Sequence, residues 1–281
     1  MSRNPSKVLS LKRKLQSQWK SIRFNLSASN NLLFLGFYKY LYHPKEGSLS
    51  GFLNEYSLSK KNSGFTVIQI GANDGITHDP IHKFIKRDNW NGILLEPQPA
   101  VYNQFLKKIY AKNKGIITLC AAIGEEDGTQ PIYKVGFSDM RWATGLTSFS
   151  REKIESAFAD GIVETNCSKF DIKIPIDKSK WISHEDVDVI SPATLLKKYK
   201  LGKIDLLQID AEGYDLEVIR IFDIAKTEPE CIIFENVGLE ERAYNFYLET
   251  LGKLEYNTRK FGPNTLALKK GNKLFQKYFD Q

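Results

Sequence analysis

Phe65-Thr66-Val67-Ile68-Gln69-Ile70-Gly71-Ala72-Asn73-Asp74-Gly75 decides how the rest of this 281-residue chain is read. Five of its first six residues are β-branched or aromatic, the composition of a buried strand, and the run breaks at once into a Gly-x-x-x-Gly turn. Asp79-Pro80 follows as an N-cap and first-turn proline, so a helix is predicted from Ile81 through Lys86. Strand, glycine turn and helix make the ligand-binding end of a doubly wound α/β domain.

Charge narrows the ligand. A pyrophosphate wants Gly-x-Gly-x-x-Gly so that bare backbone can approach it, but the middle glycine position is Asn73, and the anionic Asp74 follows. S-adenosylmethionine has no phosphate, and its sulfonium and amino group both gain from a nearby carboxylate. About 20 residues past the turn, Gly92-Ile93-Leu94-Leu95 ends in Glu96, placed to accept hydrogen bonds from two ribose hydroxyls. Gly71, Ala72, Asn73, Asp74, Gly75, Glu96 and Pro97 are therefore the candidate donor-binding residues, joined by Ala121 and Ala122, whose small side chains at a strand end let an adenine ring lie flat.

Composition bounds the rest. With 42% hydrophobic and 26% charged residues the chain can bury one substantial core. Its three cysteines do not form a paired set, which points to a reducing, cytoplasmic setting. The longest apolar run, Leu32 to Tyr38, is too short to span a bilayer and is interrupted by Lys39. The net charge of +7 is uneven: residues 1–45 hold nine Lys/Arg and no acid, leaving 31 basic against 33 acidic residues in the remainder. A near-neutral body argues against a nucleic-acid substrate.

Residues 1–60 read as a basic, amphipathic, helical N-terminal extension and 61–281 as the catalytic domain, with an insertion at about 131–190. Val8, Leu11, Leu15, Trp19, Ile22 and Leu26 fall on one helical stripe with basic residues between them. That stripe suits a contact with the body, dimerisation, or peripheral contact with the inner face of an anionic membrane.

Strands are predicted at Ile116–Ala122, Ile204–Ile209 and Glu230–Phe234, helices at Pro99–Tyr110, Arg151–Ala159, Ser191–Lys200, Tyr214–Phe222 and Leu239–Leu251, then a closing antiparallel hairpin over 254–269 and a basic surface helix over 269–281. Residues 131–190 look irregular, with aromatic residues among glycine, serine and charge, the composition of a segment that shapes an acceptor site.

Gly71-Ala72-Asn73-Asp74-Gly75, Asp79-Pro80, the run from Trp90 through Glu96-Pro97-Gln98-Pro99, Ala122-Ile123-Gly124 and the run from Leu207 through Asp210-Ala211-Glu212-Gly213-Tyr214-Asp215 together resemble the FkbM family of S-adenosylmethionine-dependent methyltransferases, over about residues 64–270. The resemblance implies a Rossmann-like class I methyltransferase fold, α/β with a seven-stranded mostly parallel sheet and helices on both faces, and O-methylation of a sugar, glycan or related metabolite hydroxyl. Gln208 and Asp215 depart from the lysine and glutamate that the family often carries there. N- or carboxyl-methylation of another metabolite, and a non-catalytic donor-binding scaffold, are the competing readings. For chemistry the candidates are Asp210, which also faces the donor, Glu212 and His78; Asp210, Glu235 and Asn236, at the ends of two neighbouring strands, are the candidate ligands of a Mg²⁺ ion.

Overall fold

A computed structural model describes residues 18–61 and 63–280. Ten strands are found among them, in chain order β1 Thr66–Ile70, β2 Asn91–Leu95, β3 Ile116–Leu119, β4 Ala122–Ile123, β5 Gly128–Val135, β6 Ile182–Ile190, β7 Leu206–Ile209, β8 Cys231–Glu235, β9 Tyr256–Phe261 and β10 Asn264–Lys269. Seven form one sheet in the order β3-β2-β1-β7-β8-β10-β9, with β10 alone antiparallel to its neighbours. This is the seven-stranded, mostly parallel sheet that the resemblance implies.

The central strands are apolar throughout because both faces are covered. Alternate side chains serve the two faces: Val67, Leu94, Leu206 and Ile233 pack with Phe52, Phe84 and Trp90 on one, while Ile68, Ile93, Leu207 and Phe234 pack with Leu195, Phe222 and Leu251 on the other. The polar exceptions are Gln69 and Gln208, opposite one another in register on β1 and β7 and both buried.

Strand order reverses between β2-β1 and β7-β8, and the crevice at such a switch point lies beyond the carboxyl ends of β1 and β7. The glycine turn after β1 and the acidic run after β7 therefore meet there.

Several boundaries differ from expectation for identifiable reasons. The strand predicted over 116–122 stops at Leu119, because Ala122 and Ile123 leave the main sheet to pair with Val189 and Ile190 of β6. Leu49–Ser59, capped by the Ser48 hydroxyl, lies within the stretch read as an appended extension, yet Phe52, Leu53 and Tyr56 are fully buried in the main core. The C-terminal segment is a 3₁₀ turn, Lys273–Tyr278, rather than a surface helix. It buries Phe275 and Tyr278 edge-on against Phe52.

The segment 131–190 is far more ordered than its composition suggests. β5 and β6 form a long antiparallel pair that joins β4 in a second, three-stranded sheet, and the helices Arg151–Ala159 and Ile162–Phe170, which lie between them in the chain, pack around Ile154, Phe158, Val163 and Cys167. Trp181 stacks on Phe158, ring centroids 4.7 Å apart.

Before the core, residues 18–28 form a helix that turns at 29–30 into Leu32–Leu41, whose second half is a π-turn. Val8, Leu11 and Leu15 of the stripe lie outside the described residues. The 18–28 helix is fastened to the body by polar contacts: Arg23 donates to the Ile76 carbonyl at 3.0 Å, and Ser27 meets His82 Nε2 at 2.9 Å. Lys86, buried, donates to the carbonyls of Ser27 and Ile109 and the side-chain oxygens of Asn30 and Asn113. His82 is a core residue, bonded on its other ring nitrogen to Tyr110, and burial pulls its pKa down. Cys120, Cys167 and Cys231 are free thiols.

Candidate active site

The crevice begins at Gly71. Its φ of +77° is left-handed, and a β-carbon there would collide with the backbone carbonyl of Asp210. Gly71 and Ala72 N–H groups both donate to the Leu95 carbonyl, at 3.1 and 2.8 Å, which ties the turn to the end of β2. Gly75, with φ +71°, is set against Leu106, Ile109 and Tyr110, so its role is close packing rather than ligand approach.

Glu96 is the centre of the donor half. It is 2% exposed, and its two carboxylate oxygens accept the backbone N–H groups of Asn73 and Gln98, each at 2.9 Å. Burial pushes it up to about 7 against the pull of those bonds. One hydrogen bond per oxygen leaves lone pairs for a ribose. Gly71, Asn73, Glu96, Pro97, Ala121 and Ala122 all line one cleft.

Three predicted donor residues stand elsewhere. Ala72 is buried outside the cleft, and Gly75 belongs to the packing just described. Asp74 turns back on its own loop: Oδ1 accepts from the N–H groups of Ile76 and Thr77 at 3.0 and 2.7 Å and lies 3.6 Å from Arg141 Nη1. It shapes the turn instead of facing a sulfonium. Asp79 accepts from Ile81 and His82 N–H groups at 2.7 and 3.0 Å, capping the His82–Asp88 helix as its sequence suggests.

The opposite wall comes from the end of β7. Asp210 and Glu212 both line the cleft. Burial, then the neighbouring Asp215, pushes Asp210 up to about 6; burial, then Asp210 and Glu235, pushes Glu212 up to about 8. Glu212 is held in a left-handed backbone conformation, φ 51°, a strained placement that a functional site can impose. Two groups from the insertion brace it. Lys153 Nζ donates to its carbonyl at 2.6 Å, and Gly145 leaves room beside Oε1, 3.2 Å from where a β-carbon would stand. Asp215 is a strut, accepting from the N–H groups of Gly213 and Glu235 at 3.1 Å each.

His78 does not reach this wall. It is exposed, with φ 60°, and lies outside the cleft, because the Asp74 turn carries it outward. For the Mg²⁺ set Asp210, Glu235 and Asn236 the structure gives no support: Asn236 Nδ2 donates to Thr265 Oγ1 at 3.1 Å, toward β10, and among the described residues no group of three or more His, Cys, Asp or Glu is placed to hold a metal ion.

Further residues that no sequence motif marks line the same cleft. Arg141 enters the cleft from the insertion, its Nη2 donating to the Thr77 carbonyl at 3.1 Å. Its Nη1 is buried without a hydrogen-bond partner. Thr144, Thr147, Ser148 and Phe149 follow on the same wall, and the Phe149 ring lies 5.6 Å from that of Tyr214. Nothing in the one-dimensional pattern around Met140-Arg141-Trp142 signals a cleft position.

The Methyltransferase FkbM domain matches residues 69–261, more than half of the chain. No curated protein matches it. Among solved structures, an FkbM methyltransferase from Methylobacillus flagellatus KT is 12% identical, with a TM-score of 0.40 over 73% of this chain and 43% of its own. Precorrin-6y C5,15-methyltransferase from Geobacter metallireducens GS-15 is 12% identical, TM-score 0.36, over 82% of this chain and 94% of its own. The N-terminal domain of human METTL16 in complex with SAH is 11% identical, TM-score 0.36, over 77% and 66%.

Proposed function

The chain belongs to the FkbM family of S-adenosylmethionine-dependent methyltransferases, and from that premise we propose that it methylates a hydroxyl of a glycan, sugar or related metabolite, with Glu212 as the base. The supporting observation is the composition of the wall facing the donor residues. A half-buried carboxylate, Glu212, pushed up to about 8, stands in one cleft with the hydroxyls of Thr144, Thr147 and Ser148 and the tilted ring pair Phe149 and Tyr214. Aromatic faces suit the C–H face of a sugar and hydroxyls suit its edge.

Bound in the cleft, the donor supplies an electrophilic methyl group. The residues divide the remaining work. Glu96 takes the ribose; Gly71, Ala121 and Ala122 leave space for the adenine; Asp210 faces the amino group. Glu212 accepts the acceptor hydroxyl's proton, and its raised pKa makes it a stronger base than an ordinary carboxylate. Lys153 holds the backbone at Glu212 through its carbonyl, and Gly145 leaves the carboxylate room. The unpaired cysteines support a cytoplasmic setting.

The test is S-adenosylhomocysteine release with free and lipid-linked glycans, and identification of the methylated atom by mass spectrometry. Glu212→Gln should cut turnover about 100-fold or more while sparing donor affinity. Methylation at nitrogen or a carboxyl group, with sugars inert, would overturn the reading.

A further inference from the structure

Residues 18–45 lie outside the family match and carry an apolar surface that the described residues leave open. Leu32 and Leu33 are 85% and 88% exposed, and Tyr40 and Leu41 each 67%. Phe37 is 48% exposed as well, so five of the ten residues from Leu32 to Leu41 present large apolar side chains to solvent. Tyr38, by contrast, is buried and packs edge-on to Phe34 and His82. On the preceding helix Trp19 is also exposed.

The charge beside this patch is mainly positive. In the described residues 18–45, Lys20, Lys39 and Lys45 are exposed and no acid occurs. Phe24 packs edge-on to Phe105 of the neighbouring Pro99–Tyr110 helical segment, after which Lys107, Lys108, Lys112 and Lys114 are all exposed. Pro97 to Gly124 likewise contains no acid. Lys112 reaches Ser29 at the corner between the two N-terminal helices, so both basic runs border the same patch.

We propose that this patch docks on an anionic phospholipid bilayer, with Leu32, Leu33, Tyr40 and Leu41 entering the headgroup boundary, Trp19 at the interface and the lysines on lipid phosphates. Aliphatic side chains ringed by cations match such a surface on both counts. A second copy fits poorly, because a two-fold contact would set two acid-free basic surfaces against each other. No helix among the described residues is long and apolar enough to cross a membrane, so the contact is peripheral.

The test uses the full chain in vesicle sedimentation. Binding is expected to phosphatidylcholine vesicles containing about 30% phosphatidylglycerol and not to phosphatidylcholine alone, falling about tenfold or more between roughly 0.1 and 0.5 M salt. A Leu32→Glu, Leu33→Glu double variant should lose about tenfold in vesicle affinity, with melting temperature and donor affinity unchanged. Failure of the chain to bind anionic vesicles at low salt, or equal binding by the variant, overturns the proposal. So does a vesicle-free dimer that the variant dissolves.

Discussion

The backbone carbonyl of Asp210 occupies the space that a β-carbon on Gly71 would need. The donor loop and the strand bearing the acidic wall are thus in direct backbone contact, which explains why one glycine serves both binding and folding. Gly71→Ala must relieve a collision with rigid backbone and hold a left-handed φ, which alone costs about 1–2 kcal/mol. The expected outcome is a lower melting temperature together with weakened donor binding, checked by thermal unfolding with calorimetry. A variant as stable as the parent would show that the two strand ends can separate freely.

Glu96 carries a different expectation. Its carboxylate orders the turn through Asn73 and Gln98 and offers its remaining lone pairs to the ligand. Charge-assisted hydrogen bonds are worth about 1.5–3 kcal/mol each, so Glu96→Ala should lower S-adenosylmethionine affinity about 10- to 100-fold in calorimetry. Glu96→Gln should bind better than the alanine variant, since its amide oxygen still accepts one backbone N–H. Unchanged affinity in both would remove Glu96 from the donor site.

How much of this was legible in the sequence follows from where each interaction is encoded. The strand, turn and N-cap around Gly71 are local, since apolar runs, glycine and Asp79-Pro80 act on their immediate neighbours, and Glu96 lies one strand away at a spacing the topology fixes. Arg141 and Phe149 are positioned by the fold of an insertion whose strands disguise themselves: in β6 the buried Val187 and Val189 alternate with acidic Asp186 and Asp188, and β5 contains Pro131. Asn236 is bonded to Thr265, brought in by β10 from 29 residues away, a contact that no local pattern announces. His78 fails because Asp74 closes the preceding turn.

Glu212 makes the site sensitive to pH in two opposed ways. A base must be ionised, so turnover should climb with pH and level off above about 8, with about 1% of the plateau rate near pH 6. Stability runs the other way. The folded-state pKa is raised above the ordinary value of 4.5, so the folded protein binds more protons than the unfolded chain between 4.5 and about 8. That stabilisation is complete below 4.5 and is lost as pH rises through about 8. Glu212→Gln removes the group, so the variant's melting temperature should gain on the parent's from pH 6 to pH 9. A constant difference across that range would mean that Glu212 titrates normally.

Arg141 is the basic side chain among the described residues that line the cleft, set among Glu96, Asp210 and Glu212, and its Nη1 is buried 3.6 Å from Asp74 Oδ1, beyond hydrogen-bond reach. A buried guanidinium nitrogen that is ion-paired to Asp74 but makes no hydrogen bond can still donate to an anion, and the α-carboxylate is the anionic group of S-adenosylmethionine. Arg141→Ala should therefore weaken donor binding about 100-fold, whereas Arg141→Lys keeps the charge but loses the fork that also tethers Thr77, and should fall between. Removing the guanidinium also withdraws a charge that holds down Glu96, Asp210 and Glu212, so the rising limb of the pH–rate profile should move upward. A purely structural role, fastening the insertion to the donor loop through Thr77, would give the same affinity loss by another route. The two separate with decarboxylated S-adenosylmethionine. If Arg141 grips the carboxylate, the alanine variant and the parent bind that analogue alike; if it only fastens the loop, the variant loses as much affinity for the analogue as for the donor itself.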